Sequence, residues 1–149
     1  MKPDETIEMS GPLGYFVPKA PLRDAVFVAT GTGVAPFRSF LFWDPVRHAA
    51  TSLTLLFGTR SEAGLLYRQE FEQLAVERPG FRYIPTLTRP EPGWSGRTGR
   101  VQGHLDEVLA GRTDLDVYVC GLKAMVDDVR ADLKAKGFER KQIIVEKYD

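Results

Sequence analysis

The sequence predicts an α/β fold, a five-stranded parallel sheet with helices on both faces, and three observations carry that prediction. Apolar runs alternate with helical patterns along the chain, the order that builds parallel strands joined by crossover helices. Several of these runs stop at a glycine, where a strand can turn sharply into a helix. The length of 149 residues, with 43% hydrophobic and 27% charged residues, suits one globular domain with its own core.

The first run, residues 25–29 (AVFVA), ends in Thr30-Gly31-Thr32-Gly33. A helix is expected from 34 to 42. The second strand is expected at 53–57 (LTLLF), broken by Gly58. A helix over 67–76 follows, with Phe71 and Leu74 three apart on one face. The third strand, 81–87, opens into a polar loop at 89–99 rich in Gly and Pro, and a helix near 101–109 leads to a fourth strand at 116–120. Gly121 then turns into a helix whose Met125, Val129 and Leu133 recur every four residues, with Gly137 as its stop. The fifth strand is 143–145. Residues 23–149 thus read as a compact Rossmann-like domain. Residues 1–22, with Pro3, Pro12, Pro18 and Pro21 among glycines, read instead as an edge strand and linker, the remnant of something preceding the domain.

Composition excludes several function classes. Twenty basic and twenty acidic residues cancel, so no overall field attracts nucleic acid or an acidic membrane surface. No apolar run approaches the roughly 20 residues that span a bilayer. Cys120 is the only cysteine, so neither an intramolecular disulfide nor a cysteine-held iron–sulfur cluster can form, and no metal ligand set is expected. His48 and His104 have no ligand spacing and are expected at the surface. A reducing cytoplasm is the simplest setting.

Chemistry concentrates at Thr30-Gly31-Thr32-Gly33-Val34-Ala35-Pro36, where the first strand passes into the first helix. Glycines there let a backbone approach a pyrophosphate, and the free N–H groups of a helix start favour an anion. Pro36 is compatible with a helix's first turn, where its missing N–H has no intrahelical partner. Gly33→Val would be expected to block such a ligand while leaving the fold largely intact. Spacing alone leaves open a purely structural turn, or a loop for some other phosphate ligand.

Five ordered blocks give this chain a resemblance to the ferredoxin–NADP reductase superfamily. GTGVAPFRS (Gly31 to Ser39) resembles that family's GTGIAPxxS signature. Gly11-Pro12-Leu13-Gly14-Tyr15-Phe16 resembles the segment that closes its flavin barrel. Phe57-Gly58-Thr59-Arg60 with Leu65-Leu66-Tyr67 resembles the second-strand block, and Thr88-Arg89-Pro90 through Gly99-Arg100-Val101 the third-strand loop. Val117-Tyr118-Val119-Cys120-Gly121 with Met125 resembles the cysteine–glycine block. Val145-Glu146-Lys147-Tyr148 resembles the ending of plant-type members, although Asp149 follows the aromatic residue here.

The resemblance implies roles residue by residue. Thr30, Gly31, Thr32, Gly33 and Pro36 would form the pyrophosphate turn, with Thr32 bonding the pyrophosphate or the nicotinamide ribose. Cys120 and Gly121, backed by Met125, would flank the nicotinamide. Tyr148 would stack on a flavin, with Glu146 beside the nicotinamide. Arg60, Arg89 and Arg100, helped by Thr88, match positions that hold an adenosine 2′-phosphate. That pattern favours NADP(H) over NAD(H), because a 2′-phosphate needs Arg or Lys while a bare ribose diol prefers a carboxylate. Glu62, two residues after Arg60, is the counter-signal.

In the family, FAD or FMN sits mainly in an antiparallel barrel with an Arg-x-Tyr-Ser block. No such block occurs in this sequence. The flavin domain is therefore expected from an excised region or a separate subunit, and the electron acceptor is expected to be a ferredoxin-like or haem protein. The expected function is the NAD(P)H-binding domain of a flavin-dependent oxidoreductase; the alternative is a nucleotide-binding module without turnover of its own.

Overall fold

The computed structural model describes Thr6 and residues 14–148. Strands β1 (Ala25–Thr30), β2 (Leu53–Thr59), β3 (Phe81–Leu87), β4 (Arg97–Thr98), β5 (Asp116–Leu122) and β6 (Ile143–Tyr148) form one sheet in the order β4-β3-β2-β1-β5-β6. Every neighbouring pair is parallel. The helices are α1 (Ala35–Phe42), α2 (Asp44–Arg47), α3 (Arg68–Glu77), α4 (Leu105–Leu109) and α5 (Lys123–Ala135).

Side chains alternate across a strand, so each strand feeds two cores. Phe27, Leu55, Phe57, Tyr118 and Cys120 face α1, α2 and α3, where Phe37, Phe40, Leu41, Val46, Phe71 and Leu74 meet them. Val28, Leu56, Val117 and Val119 face α4 and α5, against Leu105, Val108, Val126, Val129 and Leu133. Helices therefore cover both faces, as expected.

The sheet has six strands rather than the five expected. The additional strand, β4, lies inside the stretch read as a loop and pairs Arg97 with Thr86 and Thr98 with Leu87. The indole Nε1 of Trp94 donates to the Arg97 carbonyl at 2.9 Å and folds the loop back onto β3. A two-residue strand has no alternation for a sequence pattern to show.

Two expected helices begin differently. The stretch read as 34–42 starts with a 3-10 turn at Gly31–Val34, and that read as 101–109 with one at Val101–His104. Strand β5 runs on to Leu122 and β6 to Tyr148, so Gly121 lies within a strand rather than after it. Helix α5 stops as expected at Gly137, whose φ of +92° suits only glycine well. The Phe138 and Gly137 N–H groups donate to the Leu133 and Lys134 carbonyls, capping the last turn.

The described part of the N-terminal segment, 14–22, forms no strand. Phe16 packs instead against Phe37, Phe40 and Tyr118 at 5.5–6.1 Å between ring centroids. The Lys19 N–H donates to Tyr118 Oη at 2.9 Å, and its ammonium lies 3.1 Å from the buried Asp116. Residues 11–13 of the expected barrel-closing block lie outside the described residues. Among the described residues no helix is long and apolar enough to cross a membrane, and no cluster of His, Cys, Asp and Glu could hold a metal.

Candidate nucleotide site at the carboxyl edge of the sheet

Strand order reverses at β1, which pairs with β2 on one side and β5 on the other. In an open parallel sheet the crevice outside such a switch point, at the carboxyl ends of the strands, is where ligands bind. The turn Gly31–Val34 leaves β1 into that crevice, and Cys120, Gly121 and Leu122 end β5 on its other wall.

The two glycines of the turn do different work. Gly31 has φ +54° and nothing within 4 Å of where a Cβ would stand, so it opens onto the crevice. Gly33 is buried beneath the turn, and a Cβ there would lie 2.3 Å from the Cys120 carbonyl oxygen. The expectation that Gly33→Val would spare the fold is therefore overturned. This glycine sets the contact between the turn and β5, and a side chain would press on backbone. Gly121 is equally close-packed: its φ is +154°, and a Cβ would meet Thr30 Oγ1 at 2.4 Å and Met125 Cε at 2.7 Å. Met125 thus supports Gly121 from the α5 core. Pro36 sits half-buried in the first turn of α1.

Thr30 Oγ1 is buried without a hydrogen-bond partner among the described residues. An unpaired buried hydroxyl costs about 1–3 kcal/mol unless something bonds it. Together with the open Gly31, exposed Thr32 and the unpaired N–H groups of a helix start, it fits a phosphorylated nucleotide at this turn.

On the far wall, parallel register sets Cys120 beside Glu146 and Leu122 beside Tyr148. Glu146 and Tyr148 are two residues apart, so both fall on the same face as Cys120. Cys120 Sγ lies 3.8 Å from Glu146 Oε2. Burial pushes the thiol up to about 11, with the Glu146 carboxylate adding to the shift and Tyr148 opposing it. Burial raises the Tyr148 phenol as well, with Cys120 as its nearest contributor. Cys120 is thus a neutral, compact thiol at physiological pH. Iodoacetamide at about pH 8 should label the folded chain far more slowly than the unfolded one. Since only the unfolded thiol ionises above about pH 8.5, stability should also fall as pH rises from there towards 11. Rapid labelling of the folded chain at pH 8 would contradict the shift.

The expected phosphate residues lie at the other end of the same edge. The Thr88 and Arg89 N–H groups donate to the Thr59 and Arg60 carbonyls, which fixes Arg60 and Arg89 side by side just beyond β2 and β3. Arg100 follows β4. All three arginines are exposed, and none joins an ion pair among the described residues. Arg97 is committed to Glu107, its Nε 2.8 Å from Glu107 Oε2. Glu62, the counter-signal for a ribose diol, is turned to Arg68 at 2.8 Å. With strands about 4.8 Å apart, the lines of β3, which Arg89 follows, and β5, which carries Cys120, stand three spacings, or about 14 Å, from each other.

Two residues that sequence reasoning missed complete this end. Thr86 is fully buried, and His104, expected at the surface, is half-buried beside it at 3.1 Å. His48 is exposed, as expected. Two surface cavities, of about 280 and 300 Å³, lie away from this edge, around Asp24, Ser52 and Arg112 and around Arg47, His48 and Arg78.

A parallel sheet with a glycine turn at its switch point and paired walls on the same edge defines a dinucleotide-binding α/β domain. Residues 27–131 match the family described as Oxidoreductase NAD-binding domain. The chain belongs to that family, as the NAD(P)-binding domain of the ferredoxin–NADP reductase type.

Ferredoxin–NADP reductase B of Sorangium cellulosum (strain So ce56) is 42% identical over 158 residues, covering 100% of this chain and 64% of that protein. A component of the Na(+)-translocating NADH-quinone reductase of Neisseria gonorrhoeae (strain ATCC 700825 / FA 1090) is 33% identical, covering 99% of this chain and 38% of that one. Among solved structures, the Amycolatopsis cytochrome P450 reductase GcoB superposes with a TM-score of 0.78 at 30% identity, covering 92% of this chain and 42% of that one. The chain therefore spans less than two thirds of the length of these relatives.

Proposed function

We propose that this domain binds NADP(H) along the carboxyl edge of its sheet and presents the nicotinamide, at Cys120 and Gly121, to a flavin held by a barrel domain or partner subunit. The observation that carries this reading is the order of groups along that edge. Arginines with no ion-pair partner among the described residues stand beyond β2, β3 and β4, the open glycine turn follows β1, and Cys120, Glu146 and Tyr148 end β5 and β6.

Arg60, Arg89 and Arg100 bind the adenosine 2′-phosphate, with the Thr88 hydroxyl assisting. Gly31, Thr32 and the free N–H groups of the turn hold the pyrophosphate, and Thr30 Oγ1 finds its missing partner in the bound ligand. The small Cys120 thiol leaves room for one ring to approach another, beside a Gly121 whose missing side chain lets Thr30 and Met125 pack close behind it. Tyr148 offers the flavin an aromatic face, and Glu146 keeps a carboxylate beside the nicotinamide. The bound cofactors supply hydride and single-electron chemistry, and the protein supplies orientation. The electrons pass on to a ferredoxin-like or haem protein, a reading supported by the names of the Sorangium and Amycolatopsis relatives. A reducing cytoplasm suits a domain whose one thiol is buried.

Reconstitution tests the division of labour. A polypeptide of these 149 residues should bind NADPH, be colourless, and show negligible NADPH-dependent ferricyanide reduction. Adding the flavin-binding region of a relative should raise that rate about tenfold or more, because hydride transfer needs both rings held within roughly 3–3.5 Å. Cys120→Ala and Glu146→Gln should then lower it. A stoichiometric flavin in the 149-residue chain, or brisk turnover without a flavin domain, would refute this reading.

A further inference from the structure

We propose that His104 and Thr86 are positioning residues for nucleotide selectivity: they clasp the two peptide groups before Arg100 and so aim its guanidinium at the 2′-phosphate. This rests on the reading of Arg100 as a phosphate ligand. Arg100 extends from exposed chain with no side-chain partner among the described residues, so nothing it touches fixes its direction. Its backbone, in contrast, is held closely. The Gly99 N–H donates to the Leu87 carbonyl at 2.8 Å. The Gly99 carbonyl accepts the Thr86 hydroxyl at 2.9 Å. A hydroxyl has one hydrogen, and Thr86 spends it there. His104 Nε2, 3.1 Å from Thr86 Oγ1 and 3.0 Å from the Thr98 carbonyl, must therefore carry its one proton and share it between the two oxygens.

Gly99 has φ +107°, a conformation that swings the chain out of the sheet edge just before Arg100. The Arg100 carbonyl in turn accepts from the Gly103 N–H at 3.1 Å. The clasp is anchored within the fold, because Thr86 is fully buried in β3 and the His104 side chain is only 16% exposed. Neither residue is placed to touch the nucleotide itself. Their effect on it can pass only through the 98–100 backbone.

The test compares the affinities of 2′-phospho-AMP and 5′-AMP by calorimetry in the full chain and four variants. The native chain should prefer 2′-phospho-AMP, and Arg100→Ala should lose part of that preference. His104→Ala should lower the preference by about threefold to tenfold, the range of one or two neutral hydrogen bonds. His104→Gln should restore it, since its amide Nε2 can donate from nearly the same place, and 5′-AMP affinity should stay within about twofold of native throughout. Thr86→Val, close to Thr in shape, should reproduce the loss and serves if His104→Ala does not fold. Full selectivity in His104→Ala or Thr86→Val, alongside loss in Arg100→Ala, would overturn this inference and leave the phosphate reading standing. Equal native affinity for the two ligands would overturn both.

Discussion

Gly33→Val is expected to cost the domain much of its stability, not merely its ligand. A Cβ at Gly33 would stand 2.3 Å from the Cys120 carbonyl oxygen, 2.7 Å from its carbon and 2.9 Å from Gly121 Cα. All three are backbone atoms of a strand paired on both sides, so no flexible side chain can move away. Overpacking of this kind costs about 3 kcal/mol or more, and for a domain of this size each kcal/mol lowers the melting midpoint by roughly 2–4 °C. Thermal unfolding followed by circular dichroism should show a drop of roughly 6–12 °C or outright failure to fold. Gly31→Ala is the control. It meets open space, so only the strain of a positive φ applies, about 1–2 kcal/mol. Native-like stability in Gly33→Val would mean that the turn and β5 do not meet as closely as described.

The second large effect concerns which nucleotide binds. If Arg60, Arg89 and Arg100 converge on a 2′-phosphate, 2′-phospho-AMP should bind much more tightly than 5′-AMP. A charge-assisted phosphate pair contributes about 1.5–3 kcal/mol, equivalent to about 10- to 150-fold in affinity. Arg89→Ala should remove most of that advantage while leaving 5′-AMP binding nearly unchanged. Arg97→Ala should act less directly, because that guanidinium is engaged by Glu107, which lowers the Glu107 carboxyl and raises Arg97. Calorimetric titration of both ligands decides the matter. Equal affinities, or a preference for 5′-AMP, would exclude the arginines as a phosphate site.

Much of the fold was legible in the sequence because its signals are local. The long strands are continuous apolar runs, as strands buried on both faces must be. Helix α5 shows its buried face at four-residue spacing, and Gly137 marks its end. What the sequence hid depends on contacts between distant segments. Strand β4 exists because Trp94 pins the loop, and two residues carry no period of their own. The packing role of Gly33 depends on Cys120, which only the β1–β5 pairing brings beneath it. His104 looked like a surface residue because nothing nearby in sequence announces Thr86 as its partner.

The candidate site was legible to a different degree at its two walls. Glu146 and Tyr148 lay beyond the strand expected at 143–145, so their common face beside Cys120 emerged only when β6 was found to run on to Tyr148. The arginines could be located at strand ends, but their freedom from carboxylate partners could not. That depended on Glu107 engaging Arg97 and on Arg68 engaging Glu62, pairings that only the folded chain decides.

The strand order also bears on how the domain comes into being. β1, β2 and β3 are neighbours in both sequence and space, so their pairing closes only short loops. The other edge of β1 waits for β5, which comes from the last quarter of the chain. On a ribosome, β1 is therefore made long before the strand that covers its second edge, and its unpaired backbone is a template for wrong partners during that interval. The crevice shares this history, since one of its walls is that late strand. A partly synthesised chain ending before Asp116 holds the glycine turn and the arginines but lacks the Cys120 wall, so the candidate crevice is completed only as that second edge of β1 is closed.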